Sequence, residues 1–295
     1  MTQKITPSMW FDHTAREAVD FYVRIFPDAE VTEIAHYPTE GLLDFQKELA
    51  GQELEIQFRL GNQEFSAINA GPEFSINPSI SMMLHFDPSS DGHAKDHLDE
   101  LWTGLGEGGT VLMELDEYDF SPHYGWLQDR YGMTWQLLLA RPDSQPRPFV
   151  VPSLLFTSGS AKAQQAINLY TALFPDSGIG VVAPYPESSD FASGSLMYAD
   201  FRLAGQWFIA MDGGGLHDFT FNEGVSLIAS CADQEEIDRL WNVLSTVPSA
   251  EQCGWCKDEF GVSWQIVPAN MAELMKRPHA FEKMLAMHKL VIADF

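Results

Sequence analysis

Two arginines recur at one place in the chain's local pattern, Arg59 within Phe58-Arg-Leu60 and Arg202 within Phe201-Arg-Leu203. Each falls on the polar face of a strand, where a guanidinium can hold a carboxylate or a phosphate through two parallel hydrogen bonds. In so acidic a chain it can equally pair with a neighbouring Glu or Asp at a rim. Amides accompany them: Gln57 shares a face with Arg59, and Gln136 and Gln265 close two matching stretches. By period two, His85 shares a face with Ser81, where a neutral imidazole can accept a proton or serve as a hydrogen-bonded packing residue. Its counterpart in the second half falls near Ser230, so proton transfer by this residue would belong to the first half alone.

Two further strings resemble motifs and fail on context. Cys253-Gly-Trp-Cys256 has dithiol spacing, but the matching string reads Tyr124-Gly-Trp-Leu127 and no second pair completes a zinc site. With three cysteines in all, Cys231 included, no disulfide framework is expected. Gly104-Leu-Gly-Glu-Gly-Gly109 matches GxGxxG, yet a phosphate cradle must leave a strand and open a helix. Here a helix precedes the loop and a strand follows it, which removes the support for S-adenosylmethionine or dinucleotide binding.

The elements that must position these residues come in repeats. Gly125-Trp-Leu-Gln-Asp-Arg-Tyr-Gly-Met-Thr-Trp-Gln136 is answered 129 positions on (254 − 125) by Gly254-Trp-Cys-Lys-Asp-Glu-Phe-Gly-Val-Ser-Trp-Gln265, with six of twelve residues identical. Each copy reads as a turn leading into a strand, with Trp135 and Leu137 on one face and Thr134, Gln136 and Leu138 on the other. Upstream, Ala18, Phe21, Tyr22, Ile25 and Phe26 form a helical stripe that Pro27 ends, and Thr14-Ala-Arg-Glu17 has capping-box spacing. Ala166 through Phe174 repeats that stripe. Strict alternation over Leu54–Leu60 marks a half-buried strand, repeated over Met197–Leu203. Each half therefore reads as two βαβββ modules. A proline-rich link, Arg141–Pro148, separates a first domain at 1–145 from a second at 150–270, and 271–295 forms a helical extension that packs on its own domain or on a partner subunit, as in a homodimer.

Composition narrows the partners. Counting 17 basic against 42 acidic residues gives a net charge of −25, which repels nucleic acid and anionic membrane surfaces. No run approaches the roughly 18 apolar residues of a membrane span, and the start lacks an apolar signal core, so a cytoplasmic protein is expected.

Trp10-Phe-Asp followed by Glu17-Ala-Val-Asp-Phe-Tyr-Val-Arg-Ile-Phe-Pro-Asp28, and Cys253-Gly-Trp with Lys257-Asp and Phe260-Gly-Val-Ser-Trp-Gln-Ile-Val-Pro268, resemble the PhnB-like branch of the glyoxalase/bleomycin resistance/extradiol dioxygenase superfamily, the vicinal oxygen chelate proteins. Members often carry the name 3-demethylubiquinone-9 3-methyltransferase. The resemblance covers both halves and implies an α+β fold of tandem domains. Each domain would hold two βαβββ modules in a curved eight-stranded mixed sheet, with helices on the convex face and a ligand cavity in the concave one. It also implies where metal-dependent relatives place their ligands: near Thr6, Asn69, Ser81 and Gln136 in the first half, and near Val151, Asp212, Ser226 and Gln265 in the second. Neither set contains a histidine, so no metal site and no cofactor are expected, and Asn69, Ser81, Asp212 and Ser226 become ligand-binding candidates. The functional expectation is a protein that binds a small organic molecule. An isomerase-, lyase- or dioxygenase-type enzyme using His85 or a carboxylate is the alternative, and a ubiquinone-pathway methyltransferase stands behind both.

Overall fold

The structure, a computed structural model, describes residues 3–42, 44–142, 144–159, 161–215 and 217–295, with residues 44 and 45 described by backbone alone. Four modules follow one another. The first is β1 (Ile5–Asp12), α1 (Ala15–Ile25), β2 (Ala29–His36), β3 (Glu53–Leu60) and β4 (Gln63–Ala70). The second is β5 (Ile80–Phe86), α2 (Ala94–Gly106), β6 (Thr110–Tyr118), β7 (Ser121–Gln128) and β8 (Thr134–Leu139). The third is β9 (Val150–Phe156), α3 (Lys162–Leu173), β10 (Gly178–Pro184), β11 (Leu196–Leu203) and β12 (Gln206–Asp212). The fourth is β13 (Val225–Cys231), α4 (Gln234–Leu244), β14 (Trp255–Lys257) and β15 (Ser263–Pro268). It is one strand short of the expected βαβββ. A tight turn at Pro248–Ala250 stands between α4 and β14, where proline withholds the N–H that a ladder needs.

Each sheet contains two modules, as expected, but the modules that share a sheet come from different halves. One sheet runs β14-β15-β13-β1-β4-β3-β2 and the other β10-β11-β12-β9-β5-β8-β7-β6. β1 lies antiparallel to β13, with Ser8 opposite Ser226, and β5 lies antiparallel to β9, with Ser81 opposite Ser153. An unpaired strand edge is a liability in water, and the two halves close each other's edges at these two seams. Each sheet thus draws strands from both sides of the Arg141–Pro148 link.

The helices lie on the inward faces. α1 packs on β3 and α4 on β15, while α2 packs on β8 and α3 on β11. One continuous core fills the space between, with Trp135, Trp264, Tyr22 and Tyr170 fully buried within it. The helix stripes read from the sequence supply it: Ala18, Phe21 and Tyr22 from α1, and Ala166, Ile167 and Tyr170 from α3. The outward faces of the sheets become two hollows.

The capping box expected at Thr14 does not form, since Thr14 makes no side-chain cap. Asn69, at the end of β4, takes its place, its Oδ1 accepting from the Ala15 N–H at 3.4 Å. Residues 271–295 dock on their own chain, through α5 (Met271–Leu274), α6 (Ala280–Leu285) and a small cluster of Leu274, Ala280, Leu290 and Phe295. Backbone bonds from Cys253 to Met287 and from Gly254 to His288 pin the extension beside β14. Among the described residues, no helix is long and apolar enough to cross a membrane.

Candidate functional site

Strand alternation sends every second residue of the seven-stranded sheet into its hollow. Gln57, Ser66, Ser8 and Ser226 stand in one row across β3, β4, β1 and β13. A second row runs Trp255, Gln265, Ile228 and Thr6, and a third runs Glu55, Ile68 and Trp10. The C-terminal extension roofs the space with Met271, Phe281 and Met284, leaving a cavity of about 1150 Å³. Trp10 meets Phe74 edge to face at 5.0 Å and Trp255 at 6.1 Å, so aromatic faces wall one side.

Hydrogen bonds organise the floor. Gln265 donates to Ser226 Oγ at 2.9 Å, and Ser66 Oγ donates to Glu55 at 2.6 Å. Burial pushes the Glu55 carboxyl above its ordinary value, with the Ser66 hydroxyl pulling the other way. Among the described residues, every charged group lining this cavity is a glutamate: Glu33, Glu55, Glu64 and Glu223. Glu223 holds Lys257 at 2.9 Å. None of the other three is in an ion pair among the described residues.

The hollow of the eight-stranded sheet is filled. Module three places apolar residues where module one has polar ones, so Met83, Val151 and Ile209 pack with Leu138, Trp207 and Met211. The link between the halves then lays Arg147 into the remaining space. Its Nε and Nη2 lie 3.0 and 2.8 Å from Asp200 Oδ2, and its guanidinium sits 4.1 Å above the Trp207 ring. Tyr198 and the Val181 N–H also donate to Asp200, which leaves the carboxylate fully engaged.

The structure thus separates the residues singled out from the sequence. Gln57, Gln265 and Ser226 converge at the first hollow. Ser81 and Gln136 lie beneath the second, joined at 2.6 Å, with Tyr124 donating to Gln136 at 2.8 Å. Asn69 and Asp212 are spent elsewhere: Asn69 serves α1, and Asp212 Oδ1 accepts from the Lys162 and Ala163 N–H groups at the start of α3. Arg59 pairs with Glu30 at 2.7 Å, and Arg202 lies exposed beside Trp207, so neither guanidinium faces the open cavity. His85 lines a separate space of about 910 Å³ at the end of β5, among α1, α2 and Arg147. Its Nε2 is enclosed without a partner, and burial, then Arg147, push its pKa down to about 4. Glu55, Trp10 and Trp255 were not singled out from the sequence. The alternation that placed Gln57 on the polar face carried Glu55 with it.

The superfamily's metal does not fit these donors. Pairing the first module with the fourth gathers Thr6, Ser226 and Gln265, and pairing the second with the third gathers Ser81, Gln136 and Val151. Hydroxyls, amides and a valine are a poor set for a divalent transition ion. Among the described residues, no three His, Cys, Asp or Glu side chains come together as a metal site. Cys256 is buried, and burial raises its thiol far above the reactive range.

A family model described as 3-demethylubiquinone-9 3-methyltransferase matches residues 3–138 and 148–267. Among solved structures, the chain is similar to a Bacillus cereus PhnB protein bearing the same methyltransferase description, at 31% identity over 47% of this chain and 100% of that one, with a TM-score of 0.40. It is similar to protein PA1353 from Pseudomonas aeruginosa at 22% identity, over 47% of this chain and 98% of that one, with a TM-score of 0.37. Glyoxalase I from Zea mays, 10% identical, covers 91% of this chain and 95% of its own with a TM-score of 0.53, which shows a shared fold. No curated protein matches. With the family model spanning both halves, the chain belongs to the 3-demethylubiquinone-9 3-methyltransferase family, the PhnB-like branch of the glyoxalase/bleomycin resistance/extradiol dioxygenase superfamily.

Proposed function

We propose that the protein binds a small organic molecule in the hollow of the seven-stranded sheet. The observation that carries this reading is the roofed cavity of about 1150 Å³ with aromatic walls at Trp10, Phe74 and Trp255 and polar anchors at Gln57, Ser66 and Gln265. Ligand sites combine these features, apolar walls for affinity and few fixed polar groups for orientation. Its counterpart in the other sheet is closed by Arg147, so one site per chain is expected.

A specific observation favours a second reading, catalysis in the same hollow. The half-buried Glu55 carboxyl has its pKa raised by desolvation, against the pull of the Ser66 hydroxyl that donates to it at 2.6 Å, as a proton-transfer group requires. Methyl transfer, the activity in the family description, has no such support, because the Gly104–Gly109 string ends α2 and precedes β6 and so opens no helix.

The test is a thermal-shift screen of small organic molecules on the purified protein. At least one compound should raise the melting temperature, and the shift should vanish in Ile228→Trp, which fills the floor. Hits that persist in that variant would place binding elsewhere. Calorimetric titration with S-adenosylmethionine should show no heat of binding; a stoichiometric complex would revive methyl transfer.

A further inference from the structure

We propose that the ligand of this hollow is an organic cation, an ammonium or guanidinium group carried on an apolar body, seated between the indole of Trp10 and the carboxylate of Glu55. The inference rests on the reading of the hollow as a ligand site and adds the chemical class of the ligand.

Register sets the geometry. Trp10, Ile68 and Glu55 are paired across three adjacent strands. Two strand spacings of about 4.8 Å set the Trp10 and Glu55 backbones roughly 10 Å apart on one face of the sheet, which leaves room for a small ammonium group between the two side chains. Ile68 forms an apolar floor between them, and Phe74 and Trp255 extend the aromatic wall. A cation over an indole face is attracted by the ring quadrupole, more so once water is excluded. An anion would meet the opposite: among the described residues the cavity is lined by four glutamates and by no lysine, arginine or histidine. Partial desolvation of an unpaired carboxylate is costly, and the half-buried Glu55 has only the neutral Ser66 hydroxyl and Gln57 amide to offset it. An incoming cation supplies the missing charge.

The other hollow provides an independent precedent. There the chain inserts its own organic cation. The Arg147 guanidinium lies 4.1 Å over Trp207 and 2.8 Å from Asp200, with side-chain exposures of 9% and 4% for the ion pair. Asp200 occupies in its strand the position of Gln57 (200 − 143), two residues from that of Glu55. One hollow is satisfied internally by a cation between an indole and a carboxylate, and the pseudo-equivalent hollow has the indole, the carboxylate and open volume.

The test uses three probes of similar size on the full chain at 0.15 M salt: benzyltrimethylammonium, 4-tert-butylbenzyl alcohol and 4-tert-butylbenzoate. Calorimetry should show the cation binding about tenfold tighter than the alcohol or better, with the benzoate weakest. Glu55→Gln, which preserves shape and the Ser66 contact, should bring cation and alcohol to within about threefold, and Ile228→Trp should abolish binding of both. If the alcohol binds the native protein as tightly as the cation, the charge assignment falls while the hollow remains a ligand site. If cation binding survives both substitutions, it belongs to the acidic surface and the proposal is overturned. If no probe binds, the hollow is not such a site and both readings fall.

Discussion

The phenol of Tyr22 donates to Oδ2 of Asp129 at 2.8 Å across 107 residues of chain. Tyr170 donates to Asp258 at 2.6 Å in the second half. Each bond reaches from a helix lying on one sheet to the final turn of a strand pair in the other. The strands therefore pair between halves, while these helix-to-turn bonds tie modules within a half. Each carboxylate also accepts from an indole, Trp135 or Trp264, and from two backbone N–H groups, so four donors converge on it.

Asp129→Asn should cost about 2–4 kcal/mol at pH 7, because an amide oxygen cannot serve four donors and its NH₂ then faces two of them. Its pH dependence has a definite sign. Burial raises the Asp129 carboxyl from 3.8 to about 6, against the pull of its donors. Folding thus favours the protonated form: the contribution is complete below about pH 3.8 and is lost as pH rises through about 6. Urea unfolding of native and variant protein between pH 4 and 7 should show the difference narrowing as pH rises; a difference that widens would reverse the assignment.

Arg147→Met should destabilise the protein by about 3–5 kcal/mol, since it strands the Asp200 carboxylate in an apolar hollow. The double variant Arg147→Met, Asp200→Asn should recover most of the loss. Arg59→Met, which removes the half-exposed partner of the exposed Glu30, should leave the urea midpoint essentially unchanged. Equal losses from Arg147 and Arg59 would contradict the burial of the first pair.

Local pattern made the modules legible, and pairing between distant strands did not follow from it. Alternation over Leu54–Leu60 gave the faces of β3 correctly, and the stripe from Ala18 to Tyr22 gave the core face of α1. Nothing in the periodicity of β1 specifies β13 as its neighbour, because an alternating strand fits equally against β5 of its own half. Matching the halves strand by strand consequently grouped Asn69 with Gln136, whereas Gln265 is the residue that reaches the hollow of the first module. The repeat itself carries a further signal: the identity of Asp129 and Asp258 reads locally as a turn residue, and its weight comes from tyrosines 107 and 88 positions away. Glycine 254 shows a similar gap, being fixed by φ +89° and by Leu290 of the extension 3.1 Å from where its Cβ would stand.

His85→Leu should be nearly neutral or slightly stabilising at pH 7, because it removes an enclosed Nε2 that has no partner. Burial and Arg147 lower the imidazole pKa from 6.5 to about 4, so folding favours the neutral form. Stability is therefore lost as pH falls from 6.5 towards 4, by about 3 kcal/mol in all. The variant should lack that loss, which unfolding midpoints at pH 7 and pH 4 would register as a gain for His85→Leu at the acid end. Equal acid sensitivity in the two proteins would mean that the imidazole is hydrated in solution.

Residues 1–145 expressed alone should form a homodimer. The fragment retains β1 paired with β4 and β5 paired with β8, but it loses β13 and β9, which cover the outer edges of β1 and β5. Because β13 repeats β5 and β9 repeats β1, a second copy offers both missing partners at once. The β1–β13 seam aligns Ile5 through Met9 with Ala229 through Val225, and the β5–β9 seam aligns Ile80 through Leu84 with Leu154 through Val150. Both are antiparallel, so a two-fold axis between fragments satisfies them together. Light scattering on the purified fragment should give twice the chain mass at micromolar concentration, and a charged substitution on the seam, Met83→Glu, should shift it to monomer or aggregate. A well-folded monomer with unchanged strand content would mean that each half closes its own sheet, against the pairing of β1 with β13.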